Sequence, residues 1–257
     1  MAEASREPWR VGARARGELR YGLELARLLA DRRFHRVRSV SDPPPVLLVP
    51  GFLAGDASLI VLGGWLRRRG HRVKRSGILV NADCAGRELT RLEEKLAELD
   101  GPAILIGQSR GGTLARALAA RRPEAVAALV TLGSPVLDPL AVSPAVLRTV
   151  RSLARFGDLG APRMFSTNCR DGDCCADFRA LLEEPLDPEM PTLAIHSRSD
   201  GIVDWRACLD PYAECVEVDG SHCGMAVNVN VYRELERLLE ETEVSIDHDS
   251  FDVIRPT

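Results

Sequence analysis

Ala103-Ile104-Leu105-Ile106-Gly107-Gln108-Ser109-Arg110-Gly111-Gly112 runs from a short apolar stretch straight into a glycine-rich turn with a serine at its centre. Four consecutive apolar residues ahead of turn formers predict a strand buried on both faces. Gly112–Arg122 predicts a helix, with Leu114, Ala117 and Leu118 inward and Pro123 behind it. The stretch thus reads strand, sharp turn, helix, with Gly-x-Ser-x-Gly across the turn. Side chains in place of Gly107 and Gly111 would collide with neighbouring backbone in so tight a turn. The first N–H groups of the helix would point at the serine hydroxyl.

Outward from this stretch, short apolar strands alternate with helices. Val46–Val49, Arg72–Leu79, Ala128–Leu132, Thr192–Ile195 and Cys215–Val218 read as further strands. Ser58–Arg69 reads as a helix with Leu59, Leu62 and Leu66 as its apolar positions, and Leu89, Leu92, Leu96 and Leu99 form a second helical stripe. Val231–Leu239 is a closing helix. Residues 13–34 also have helical spacing in Leu19, Leu23, Ala26 and Ala30, ended by Pro43-Pro44-Pro45. Repeated strand–helix units give an α/β class with a mostly parallel sheet covered by helices on both faces. Residues 136–190 break the rhythm. They contain no clear strand and many apolar residues, and they are expected to form a cap or lid. The expected organisation is a basic helical arm at 1–40, an α/β domain at 41–241 with the cap inside it, and an acidic tail at 242–257.

Composition is that of one globular α/β domain: 257 residues, 45% hydrophobic and 28% charged, with a formal net charge of −3. The balance gives no reason to expect a nucleic-acid partner. Arginines recur from Arg6 to Arg38, and carboxylates from Glu240 to Asp252. A solvated helix face, or pairing of arm with tail, is favoured over contact of the arm with a lipid surface. No apolar run is long enough to span a bilayer, and no apolar segment follows the early arginines as in a secretory leader, which favours the cytoplasm. Cys169, Cys174 and Cys175 cluster, and Cys208 and Cys215 are neighbours. The cluster lacks Cys-x-x-Cys pairs, so no metal is expected. Local disulfides within 169–175 and 208–215 are left open, with Cys84 and Cys223 read as buried thiols.

A serine hydroxyl is a weak nucleophile at neutral pH and needs a base, which in turn needs an orienting acid. In a strand–elbow–helix setting, acid and histidine follow the serine in that order. His196, His222 and His248 follow Ser109. His196 ends a strand ahead of any good acid, and His248 sits in the acidic tail. His222 lies in Asp219-Gly220-Ser221-His222-Cys223-Gly224-Met225, a flexible loop after the last strand, and is the expected base. For the acid, Asp200 lies in the turn just past the preceding strand, whereas Asp204 suits a helix cap, so Asp200 is favoured. The developing oxyanion needs fixed N–H donors, and the backbone of Arg110 and of Phe52, in Pro50-Gly51-Phe52-Leu53, are the choices.

Together, Pro-Gly-Phe-Leu, Gly-Gln-Ser-Arg-Gly-Gly, Gly133-Ser134-Pro135, Ser-Asp-Gly-Ile-Val-Asp and Ser-His-Cys-Gly-Met resemble the bacterial lipase and esterase branch of the α/β-hydrolases, in order and spacing over residues 48–225. The resemblance implies a three-layer fold and ester hydrolysis through an acyl-enzyme with no cofactor. Carried over by position, the catalytic residues are Ser109, Asp200 and His222, and the oxyanion donors Phe52 and Arg110. Arg110 stands where the family commonly has Met or Leu. The expected partner is a small-molecule or lipid ester with an apolar acyl group. Activity is expected to fall as His222 protonates, below a pH of about 6–7. Polyester hydrolysis, acyl transfer, or binding without catalysis are the rival readings.

Overall fold

The computed structural model describes residues 20–36 and 43–252, with side chains in the last helix described as far as Thr242. Most of the basic arm (1–19 and 37–40) and residues 253–257 of the tail lie outside the described residues, as does the side chain of His248.

Six strands form one sheet: β1 (Val46–Val49), β2 (Val73–Arg75), β3 (Ala103–Gln108), β4 (Val126–Leu132), β5 (Thr192–His196) and β6 (Glu214–Glu217). Their order is β2-β1-β3-β4-β5-β6, and every pairing is parallel. The helices are α1 (Tyr21–Ala30), α2 (Ile60–Arg68), α3 (Ala85–Ala97), α4 (Arg110–Arg121), α5 (Pro144–Asp158), α6 (Thr167–Asp171), α7 (Ala176–Glu183) and α8 (Val229–Asp252).

The pleat sorts the apolar residues of the strands into two cores. Val46, Leu48, Ile104 and Ile106 face Leu28 of α1, Trp65 and Leu66 of α2, and Val231 and Leu235 of α8. Leu47, Val49 and Leu105 face Leu89 and Leu92 of α3, Leu114 and Leu118 of α4, and Phe178 of α7. Alternate residues of one strand thus serve opposite layers. Each fully buried leucine contributes about 1.5–3 kcal/mol relative to exposure. This two-sided burial explains why the central strands read as unbroken apolar runs.

Four expectations are corrected. The strand expected at Arg72–Leu79 keeps only Val73–Arg75; Gly77 turns the chain in the left-handed region and Leu79 is exposed. On α1, Leu23, Ala26 and Ala30 face solvent, while Glu24 and Leu28 are buried. None of the seven cysteines, all among the described residues, is disulfide-bonded, and Cys223 is exposed, not buried. The closing helix also crosses the boundary expected at residue 241 and continues to Asp252.

Residues 136–190 contain α5, α6 and α7 and no strand. Their first part is stitched to the turn after β5. Val142 bridges Val203, the Ser143 N–H donates to the Ile202 carbonyl at 2.7 Å, and the Asp204 N–H donates to the Ala141 carbonyl at 2.9 Å. Among the described residues, no helix is long and apolar enough to cross a membrane.

Candidate active site

The C-terminal ends of β1, β3, β5 and β6 open toward one cavity of about 670 Å³. It lies where the sheet order reverses between β1 and β3, the usual place for a ligand in an open parallel sheet. Gly51, Phe52, Ser109, Arg110 and His222 line it, together with Leu140, Val146, Phe165 and Phe178 from the 136–190 segment.

Ser109 ends β3 with φ 53 and ψ −126. A non-glycine residue in this region costs about 1–3 kcal/mol and persists only where its surroundings hold it. The Ser109 N–H donates to the Leu132 carbonyl at 2.8 Å, and its own carbonyl accepts from the Gly112 N–H at 2.9 Å. The flanking glycines are steric necessities. A Cβ on Gly107 would lie 2.4 Å from the Gly111 carbonyl oxygen, and one on Gly111 would lie 2.2 Å from the Val49 carbonyl oxygen.

Asp200 and His222 meet in the interior. The Asp200 Oδ2 lies 2.7 Å from the His222 Nδ1, and both residues are buried, at 2% and 5% exposure. The other oxygen, Oδ1, accepts the N–H groups of Ile202 and Val203, each at 2.8 Å. The carboxylate is thereby fixed on one side by backbone and presents its other oxygen to the imidazole. Asp204 instead caps a turn, accepting the Arg206 N–H at 3.1 Å. His196 stacks on Trp205 with ring centroids 5.7 Å apart.

The loop bearing His222 is clamped at three points. Gln108, inside the Gly-x-Ser-x-Gly stretch, donates from Nε2 to the His222 carbonyl at 3.0 Å. Gly133, at φ 56, backs the imidazole so closely that a Cβ would lie 3.2 Å from Nδ1. The third clamp comes from α1. Glu24, 4% exposed, accepts the Ser221 N–H at 2.8 Å and the Ser221 hydroxyl at 2.7 Å. A Cβ on Gly224 would lie 1.4 Å from its Oε2, so the glycine makes room for the carboxylate.

Phe52 follows β1 on a loop braced by Asn81, whose Nδ2 donates to the Pro50 carbonyl at 2.7 Å. Asn81 in turn accepts from Arg110 Nε at 2.8 Å, and the guanidinium also donates to the Asp83 carbonyl at 2.5 Å. Burial pulls the Arg110 guanidinium below its ordinary value. The Arg110 side chain therefore ties the elbow to the Phe52 loop. Phe52 and Arg110 both line the cavity wall beside Ser109. Glu24, Gln108, Asn81 and Gly133 escape the sequence reading. The middle positions of a motif and a carboxylate within an apolar helix carry no local signal of a partner that is distant along the chain.

The α/β hydrolase fold family matches residues 92–167, from α3 through the serine elbow into the cap segment. A Bacillus licheniformis lipase in mature form superposes with a TM-score of 0.56 at 16% identity, over 79% of this chain and 94% of that one. The fold is that of the α/β-hydrolases. A metagenomic carboxyl esterase shares this hydrolase fold with a TM-score of 0.60 at 14% identity, covering 80% of this chain and 78% of its own. The Bacillus subtilis carboxylesterase CesB does so at 0.51 and 14% identity, covering 87% and 97%. Among curated proteins no sequence matches this hydrolase-fold chain.

Proposed function

We propose that this chain is a serine carboxylic ester hydrolase that acts through an acyl-enzyme on esters of apolar acids. The observation that carries the reading is Ser109 in its strained elbow on the cavity wall that also holds His222, itself paired with buried Asp200 at 2.7 Å. In this reading His222 takes the Ser109 proton as Oγ attacks the ester carbonyl. Asp200 holds the ring with Nδ1–H toward itself and steadies the imidazolium. The Phe52 and Arg110 N–H groups receive the oxyanion, each worth about 3–4 kcal/mol of transition-state stabilisation. The imidazolium then protonates the leaving alkoxide. Water, deprotonated by the same imidazole, releases the acid and restores Ser109. Valine, leucine and phenylalanine side chains from the cap segment give the cavity an apolar wall suited to an acyl chain. The superposed structures, a lipase and two carboxylesterases, agree with this chemistry.

The test is hydrolysis of p-nitrophenyl esters from acetate to palmitate by the native protein and by Ser109→Ala. Native turnover that falls by about 10⁴-fold or more in the variant supports the reading. Equal activity of the two proteins refutes it. A rate maximum at medium or long chains is expected from the apolar wall.

A further inference from the structure

Outside the serine centre, four thiols converge where the cap segment meets the core. Cys84, at the start of α3, lies 3.6 Å from Cys174 and 3.4 Å from Cys175 between sulfurs, and Cys169 lies 3.4 Å from Cys174. All four Sγ atoms fall within 4.8 Å of one another. Four sulfurs placed tetrahedrally at about 2.3 Å from a zinc ion are about 3.8 Å apart along each edge. The observed separations match that cage closely and are well beyond the ~2.05 Å of a disulfide.

The surroundings suit an anionic cage as well. A zinc ion with four thiolates has a net charge of −2, and two guanidiniums, those of Arg87 and Arg110, lie within Coulombic range of the sulfurs. The Gly86 N–H hydrogen-bonds Cys175, while the Ser166 hydroxyl lies 3.4 Å from the Cys169 sulfur. Such donors are what thiolate ligands recruit around a bound metal. Cys169 and Cys174 are separated by four residues, a spacing found in structural zinc sites, whereas Cys84 arrives from a distant part of the chain.

We propose that Cys84, Cys169, Cys174 and Cys175 bind one zinc ion in a closed tetrahedral site that pins residues 169–175 of the cap to the start of α3. Binding replaces the thiol protons, which pass to solvent, and nothing is oxidised or reduced. With four protein ligands the ion has no open position, so its role is structural. It bears on the reaction only indirectly, through the Arg110 guanidinium, which lies within Coulombic range of Cys84 and Cys175.

The experiment uses the full chain without a metal-binding tag, purified with reductant and no chelator, then incubated with zinc and desalted. Expected are about one zinc per chain by elemental mass spectrometry and protection of the accessible Cys169 and Cys174 from alkylation while Cys215 and Cys223 react. Cobalt loaded in place of zinc is expected to give the visible absorption of tetrahedral thiolate coordination. Cys174→Ser, at an exposed position that tolerates the change, is expected to lose the tight zinc and leave Cys169 open to alkylation. Two results overturn the proposal: less than about a tenth of a zinc per chain after incubation, or disulfides joining these four residues in the protein as purified. Zinc retained in full by the folded Cys174→Ser variant also overturns the four-ligand assignment.

Discussion

Replacing Glu24 with alanine removes a carboxylate that holds the His222 loop from 197 residues away in sequence. Two charge-assisted hydrogen bonds, at 2.8 and 2.7 Å, are lost together, and the Ser221 N–H and hydroxyl stay buried without an acceptor. Hydrogen bonds to charged groups contribute roughly 1.5–3 kcal/mol each. Settling of α1 and entry of water recover part of the sum, so a loss of about 3 kcal/mol is expected. For a chain of this length about 2 °C of Tm accompanies each kcal/mol, which gives a drop of about 6 °C. The loop also loses its register against Ser109, and a misplacement of about 1 Å can cost 10²-fold in rate. Glu24→Ala is thus expected to lower kcat/KM on the best p-nitrophenyl ester by about 10- to 100-fold at a temperature where the variant is folded. Glu24→Gln keeps the shape and one good acceptor, and it should lie between the two. Gly224→Ala drives a methyl into the Glu24 carboxylate and should reproduce the kinetic defect from the other side. Thermal unfolding and steady-state kinetics check all three. A Glu24→Ala protein with unchanged Tm and kcat/KM would refute the clamp.

Burial lowers the pKa of both His71 and His196. The unfolded chain then takes up protons below about pH 6.5 while the folded chain resists them. Stability is therefore full above that pH and falls as pH drops toward the folded values. Melting curves between pH 8 and 5 should show the fall, and a His71→Gln/His196→Gln double variant should flatten it. Arg116 is buried, pairs with Asp210 at 3.1 Å and donates to the carbonyls of Leu181 and Glu184 at 2.7 Å each. Arg116→Met leaves Asp210 buried without its cation and should cost about 3–5 kcal/mol in urea denaturation, with Asp210→Leu added to it recovering much of the loss. Gly111→Ala places a methyl against the Val49 and Pro50 carbonyls and should lower kcat/KM by at least about 100-fold, checked on the same ester.

The layered fold is legible in the sequence because two-sided burial writes itself as short unbroken apolar runs. Leu47 and Leu48 serve opposite cores yet are equally apolar. Residue pattern also led to Ser109, Asp200 and His222, since each follows a strand end in a turn rich in glycine or serine. What could not be read is whatever depends on distant partners. Glu24 looks like one polar residue on a solvent-facing helix turn until Ser221 is brought to it. Cys84 looks like an isolated thiol until residues 169–175 fold over it. The edge strand β2 reads too long in the sequence because Ile78 and Leu79 extend the apolar pattern past Gly77, whose left-handed turn follows the end of the pairing at Arg75.

Among the fastenings of the 136–190 segment, two flank α5: Val142 bridges Val203 before it, and the Phe165 N–H donates to the Ala82 carbonyl at 2.8 Å after it. A flap fixed along one side swings like a door; a strap fastened at two points can only bow. Any outward movement of α5 is therefore an arch between these fastenings. That helix suits the motion, because Ala154 is its only buried residue. Shortening the strap by a few residues would narrow the doorway without touching any group that meets the ester.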